Sequence, residues 1–346
     1  MKFFLLLCLP LFSIAQNNIR YKNLVLEGGG IRGLAYPGAM QVLEEKGVLQ
    51  NIENVAGCSA GAIMGLMIAL HYSSHEIDSI FSTLKIQQFN DGSFFGIPRR
   101  VKKEYGIFKG DKFEEWLSKL IINKTGNAEI TFAQLHQLHL TNKNFKELYV
   151  TGTNISRQKL QIFSWHHSPG MKLKTAVHIS GCIPVYYKPV AVDSNWQEVS
   201  EKNKKTNVDL YVDGGMLNNY PLNIFDTCNT GGDPFTCEDI IYNKQTLGLK
   251  LERPEQILQI TKGIVDIAPY PVNSLNDYKL ALINLMQETL QRKTATLQNE
   301  KGRTIYISYG NTFGKIRKVS AAEKKELFNN GVNAAATFFN ADNTLK

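Results

Sequence analysis

Asn54-Val55-Ala56-Gly57-Cys58-Ser59-Ala60-Gly61-Ala62-Ile63-Met64 is the stretch on which the fold turns. The short apolar run Asn54 to Cys58 has the character of a strand, and the small residues from Ala60 to His71 have the character of a helix. Gly57, Ser59 and Gly61 between them satisfy G-x-S-x-G. Glycine two places to either side lets the chain reverse sharply, which pushes the serine hydroxyl into the open at the head of the helix. A Gly/Ser-rich helix start with Ser59 as a plain N-cap satisfies the same letters. The strand entering and the helix leaving favour a nucleophile elbow, with Gly57 and Gly61 as its shoulders.

Upstream, Asn23 to Glu27 reads as the first strand and Leu34 to Lys46 as a helix stopped by Gly47. Between them lies Gly28-Gly29-Gly30-Ile31-Arg32-Gly33. Consecutive glycines allow backbone N–H groups to converge at the positive end of a helix, so this turn suits an anion. It also satisfies G-x-G-x-x-G, which makes dinucleotide binding the competing reading. A nucleotide fold would add an acidic residue about twenty positions on, at the end of the second strand. Here Cys58-Ser59 stands there, and Glu53 precedes the strand.

Downstream, Asp213-Gly214-Gly215 follows the apolar run Leu210-Tyr211-Val212. An ordinary Asp-Gly turn has this sequence. So does a catalytic carboxylate at the C-terminal end of a strand, where open α/β sheets keep their sites. The seven histidines are His71, His75, His136, His139, His166, His167 and His178, and none follows Asp213. The hydrolase order of serine, acid, then histidine is therefore closed to Asp213. The simpler chemistry is Asp213 acting directly on Ser59. His71/His75 and His136/His139 have spacings that put each pair on one helix face, but neither has a third ligand nearby, and no metal site is expected.

The remaining pattern alternates short apolar runs with amphipathic stretches, which predicts an α/β fold, a three-layer sandwich with a mostly parallel central sheet. Strands are expected over Leu148 to Thr153, Lys159 to Ser164, Asp209 to Val212, Gln245 to Leu251 and Thr304 to Ser308. Helices are expected over Lys172 to Ile179, Ser274 to Thr296 and Ala321 to Phe339. Ser74 to Thr141 reads as a helical insertion covering part of the site, and Val190 to Asn207 as an exposed excursion. Residues 227–346 are expected to complete or flank the same domain.

The 346 residues, 43% of them hydrophobic and 20% charged, are enough for a full core. Lys2, the apolar run Phe3 to Phe12 and the exit Ser13-Ile14-Ala15-Gln16 read as a signal peptide over residues 1–16. That run is far short of the roughly 20 residues a spanning helix needs. An exported protein that does not span the membrane is the expectation, secreted, periplasmic or surface-associated. Leu7 before Cys8 argues against a lipid anchor. Cys58, Cys182, Cys228 and Cys237 then remain, and Cys228 and Cys237 flank a loop across which they pair or stay free. The net charge of +8 suits loose attraction to anionic lipid. No Arg-rich or aromatic-interleaved basic stripe argues for nucleic acid.

The glycine loop, the serine elbow and the Asp-Gly-Gly turn, in this order over residues 23–226, resemble the patatin-like phospholipases. Val177-His178-Ile179-Ser180-Gly181-Cys182-Ile183-Pro184 resembles that family's stretch before the acid, and Asn218-Asn219-Tyr220-Pro221 the segment after it. The resemblance implies a lipid acyl hydrolase of phospholipase A or lysophospholipase type, without a cofactor, with peripheral contact to a membrane lipid or another lipid ester. It implies a catalytic dyad of Ser59 and Asp213, an oxyanion loop of Gly28, Gly29, Gly30, Arg32 and Gly33, and Gly214 and Gly215 in the acid motif. An esterase acting on neutral glycerides or small esters is the near alternative. Nothing in the sequence fixes an oligomeric state.

Overall fold

The computed structural model describes residues 21–199, 207–264, 266–292, 300–310, 312 and 318–344. The expected signal peptide, Cys8 and residues 200–206 of the expected excursion lie outside these residues. The strands are β1 (Asn23–Leu26), β2 (Asn54–Gly57), β3 (Gly106–Phe108), β4 (Glu147–Asn154), β5 (Lys159–Phe163), β6 (Val185–Tyr187), β7 (Val190–Asp193), β8 (Val208–Asp213), β9 (Thr227–Cys228), β10 (Ile240–Ile241), β11 (Thr246–Glu252) and β12 (Thr304–Ser308). The helices are α1 (Tyr36–Glu45), α2 (Val48–Asn51), α3 (Ala60–Ala69), α4 (Ser74–Thr83), α5 (Ile97–Glu104), α6 (Asp111–Thr125), α7 (Phe132–Thr141), α8 (Leu173–Gly181), α9 (Pro254–Thr261), α10 (Leu275–Arg292) and α11 (Ala321–Thr344).

The main sheet runs β12-β11-β1-β2-β4-β8-β7, with β5 also pairing with β4. Its first five strands are parallel. The strands beyond and beside β4 are antiparallel. β11 and β12, from the C-terminal third of the chain, are thus part of the same sheet as the elbow. Both strands that flank the elbow, β1 and β2, are buried on both sides, as parallel strands covered on two faces are. On one face Leu24, Leu26, Val55 and Leu148 meet Met64, Leu66 and Met67 of α3 in the main core. On the other, Val25 and Ala56 meet Tyr220 and Leu222 in a smaller cluster.

Two sequence expectations change. Val190 to Asn207 is not wholly an exposed excursion. Val190, Ala191 and Val192 form the buried strand β7, because β8 offers them an antiparallel partner that a linear sequence does not display. The glycine loop, moreover, does not open directly onto an α-helix. Gly30–Ala35 is a 3-10 turn, and α1 starts only at Tyr36 with Pro37 in its first turn. The dipole behind Gly29 and Gly30 is therefore that of a short turn.

The carboxylate also arrives by an unexpected route. β8 is antiparallel to β4, so its C-terminal end points opposite to the carboxyl ends of the parallel strands. Register brings Asp213 to the site instead. Gly57 is level with Val150 on β4, and Asp213 is level with Gly152, two residues further on. Ser59 lies two residues past Gly57. The long β4 overshoots β2, and β8 returns along the overshoot to stop beside the elbow.

Candidate active site

Ser59 has φ 51° and ψ −120°, a left-handed backbone that a residue with a side chain seldom adopts. Its side chain makes no capping bond to α3. The plain N-cap reading therefore fails, and the strain fits a serine held in place by its surroundings. Those surroundings are close. A methyl group on Gly57 would lie 2.3 Å from the Gly61 carbonyl oxygen, and one on Gly61 would lie 2.3 Å from that of Leu26. The Ser59 N–H donates to Ser180 Oγ at 2.8 Å, which ties the elbow to the end of α8.

Asp213 is held from both sides. Its N–H donates to the Cys182 carbonyl at 2.9 Å, and its Oδ1 accepts the Gly215 N–H at 2.8 Å and faces the Cys58 thiol at 3.5 Å. Gly214 packs against Thr151, leaving no room for a side chain. Burial pushes the Asp213 carboxyl up to about 6, against the lowering effect of the Gly215 N–H, the Ser59 hydroxyl and the Cys58 thiol. A carboxylate of ordinary pKa is a weak base for a serine, and burial moves this one toward the working range.

The glycine loop is arranged peptide by peptide. The Gly28 N–H is committed to the Asn219 carbonyl at 2.9 Å, so Gly28 does not offer a donor to a ligand, unlike the expectation for it. The Gly28 carbonyl accepts Asn219 Nδ2 at 2.8 Å. The Gly29 carbonyl accepts both the Arg32 N–H and Arg32 Nε, each at 3.1 Å. In a trans peptide the N–H points opposite to the carbonyl. Pinning these two carbonyls therefore turns the N–H groups of Gly29 and Gly30 the other way. Gly30 itself has φ +54°, which glycine adopts without cost. Arg32 braces the loop, its guanidinium stacking 4.7 Å over the Tyr309 ring, and it also lines the larger cavity at Ser59. Gly33 serves packing, since a methyl group there would meet Ala60 Cβ at 2.8 Å.

Two cavities meet at Ser59. One, of about 80 Å³, is apolar, with Leu34, Ile63, Phe81, Phe89, Phe113 and Trp116 in its wall. The other, of about 380 Å³, holds Gly29, Gly30, Asp213 and Asn219 and is roofed by Leu280, Ile283 and Gln287 of α10. Gly30, Ser59 and Ile183 line both. Neither is lined by a histidine.

Of the paired histidines, His136 and His139 have other partners. His136 Nδ1 is 2.5 Å from Glu147 Oε1 and stacks on Trp165, and His139 Nδ1 is 2.8 Å from the Phe145 carbonyl. Cys228 and Cys237 are bonded to each other, while Cys58 and Cys182 are free and buried. Among the described residues no helix is long and apolar enough to cross a membrane.

Sequence reasoning gave no role to Ser180, Asn219 or Glu27. Glu27 is buried beneath the loop, where its carboxyl accepts Asn219 Nδ2 at 3.3 Å and the Leu251 N–H at 2.7 Å. Burial pushes its pKa well up. Ser180 and Asn219 lie in the two flanking segments that carried the family resemblance, and that was the available signal. Glu27 had none.

A family model described as patatin-like phospholipase matches residues 24–226, more than half of the chain, and the chain belongs to that family. An uncharacterized protein, R571, of Acanthamoeba polyphaga mimivirus is 31% identical over 62% of this chain and 64% of its own length. A probable lipid hydrolase, 463L, of Invertebrate iridescent virus 6 is 26% identical over 62% of this chain and 66% of its own. The chain thus spans just under two thirds of these two relatives. Among solved structures, VipD from Legionella pneumophila has the same fold, with a TM-score of 0.57 and 19% identity over 93% of this chain and 67% of that one.

Proposed function

We propose for this member of the patatin-like phospholipase family a lipid acyl hydrolase that cleaves carboxylic esters of phospholipids or lysophospholipids through a Ser59–Asp213 dyad. One observation carries the reading: a serine on a strained elbow faces a buried carboxylate whose pKa is lifted to about 6, at the seam of an apolar and a polar cavity. Asp213 takes the Ser59 proton as the hydroxyl oxygen attacks the ester carbonyl. The N–H groups of Gly29 and Gly30 hold the oxyanion, each such donor being worth about 2.7–4 kcal/mol in comparable enzymes. Collapse expels the alcohol, which takes back the proton from Asp213. A water then gives its proton to Asp213 and attacks the acyl-enzyme, and collapse breaks the bond to Ser59 Oγ, which takes that proton back as the fatty acid leaves.

The apolar cavity suits the first methylenes of the acyl chain next to the ester and the larger cavity the glycerol side. Peripheral membrane contact fits the exposed apolar residues Tyr278, Leu282, Leu285 and Met286 of α10, and Phe94 and Phe95 beside exposed Arg99, Lys102 and Lys103. Export remains part of the proposal, in keeping with the Cys228–Cys237 disulfide. A fluorophosphonate probe should label the protein on Ser59, with labelling and hydrolysis of phosphatidylcholine vesicles both lost in Ser59→Ala. Unlabelled protein, or a Ser59→Ala variant that keeps its activity, would overturn the dyad. Full turnover of short soluble esters with none on vesicles would reassign the substrate to small esters.

A further inference from the structure

Away from Ser59, on the outer side of α8, three side chains from separate elements converge. Glu114 comes from α6, His178 from α8 and Glu198 from the turn that follows β7. One ligand atom from each lies within 4.8 Å of the other two. His178 is 1% exposed, and both of its ring nitrogens lack a hydrogen-bond partner. Leaving such a group unpaired in the interior costs about 1–3 kcal/mol. Its Nδ1 faces the Glu114 carboxylate at 3.9 Å, too far for a hydrogen bond.

We propose that Glu114, His178 and Glu198 bind one divalent transition-metal ion of the Zn2+ class, clamping α6 and the turn after β7 onto α8. One imidazole and two carboxylates form a ligand set such ions accept, at about 2.0–2.2 Å from each donor atom. Ligand atoms around such an ion stand about 3.4 Å apart in a tetrahedral arrangement, so the present separations need to shrink by no more than the carboxylates can swing. Competing cations have other anchors. Lys174, 3.4 Å from Glu114, is also paired with Glu129, and Lys188 is paired with Asp111. The Glu198 backbone is fixed, bridged to Val192 of β7 and followed by the Val199 N–H bond to the Ala191 carbonyl.

The location gives the ion a structural consequence. His178 precedes Ser180, whose Oγ holds the Ser59 N–H, and Cys182, whose carbonyl holds the Asp213 N–H. Phe113, which lines the apolar cavity, stands next to Glu114 and edge-on to the His178 ring. A clamp here stiffens the wall of the site without touching the reacting atoms.

The test is titration of the metal-stripped full chain with ZnCl2, and separately MnCl2, by calorimetry, alongside melting curves with and without the ion. One equivalent of Zn2+ should bind and raise the melting temperature. Glu114→Gln and Glu198→Gln should each weaken binding about tenfold or more, with metal-free melting close to that of the parent. If Glu114→Gln fails to fold, Glu198→Gln decides, because Glu198 sits at the solvent edge. No binding by the parent, or binding equally tight in Glu198→Gln, overturns the proposal, since the second result assigns the ion to other histidines.

Discussion

The two cavities that meet at Ser59 are built from different materials. The apolar one is walled mainly by side chains, with Phe81 to Trp116 of the inserted segment from α4 to α6 facing Ile31, Leu34 and Ile63. The more polar one mixes apolar side chains such as Leu280 and Ile283 with groups whose positions hydrogen bonds dictate, among them Gly29, Asp213 and Asn219. In the proposed reaction the first would select by shape and by exclusion of water, and it can be refilled one methylene at a time. The second depends on the aim of peptide planes and on one buried charge, so small displacements there are costly.

Asp213→Asn attacks the polar side and should have the largest effect, a loss of hydrolysis of at least about a thousandfold. Stability should move the other way. Burial lifts this carboxyl from 3.8 to about 6, so between those pH values the native state holds a proton that the unfolded chain gives up. Its contribution to stability is present below pH 3.8, falls as pH rises through the window and is absent above pH 6. At pH 8 the Asn variant should be more stable than the parent by up to about 3 kcal/mol, the equivalent of the shift, and at pH 3.5 no more stable. Denaturant melts at the two values check this. Hydrolysis by the parent should rise with pH through about 6 as Asp213 ionises. Melts that respond alike at both pH values would mean that the carboxylate is solvated, and the contrast between the cavities would break.

Ile63→Trp fills the apolar side. It should lower kcat/KM for long-chain esters about tenfold while leaving acetyl esters nearly unchanged, since pocket methylenes are worth about 1–3 kcal/mol each. Equal losses on both substrates would show that the two cavities do not divide the labour. Met286→Asp, on the exposed face of the helix that roofs the polar cavity, should have the smallest effect. Turnover on vesicles should fall about threefold, with soluble esters unaffected, as loss of one apolar contact with a bilayer predicts. An unchanged rate on vesicles would place the lipid contact at Phe94 and Phe95.

Much of this was legible in the linear chain because it is local. The Gly57-Cys58-Ser59-Ala60-Gly61 turn, the glycine loop and the Asp-Gly-Gly turn each declare their backbone demands within a few residues, and the apolar runs declare β1, β2, β4 and β11. Val190 to Asp193 was misjudged because a strand at the sheet margin is made by its neighbour, and β8 is not visible from within those four residues. Gly28 looked like a donor because its commitment to Asn219 spans 191 positions.

Sequence alone therefore determined which groups are candidates for the proposed chemistry: a serine between glycines, a carboxylate released by glycines, and peptide donors with no side chains in their way. Tertiary structure decided where those groups point. The overshoot of β4 beyond β2 brings Asp213 to the elbow from an antiparallel strand, and Asn219 and Arg32 turn the Gly29 and Gly30 peptides. The physical reason is range. Backbone permissiveness is a property of a residue and its neighbours, whereas the orientation of a peptide plane is fixed by whichever distant group folding brings to its carbonyl.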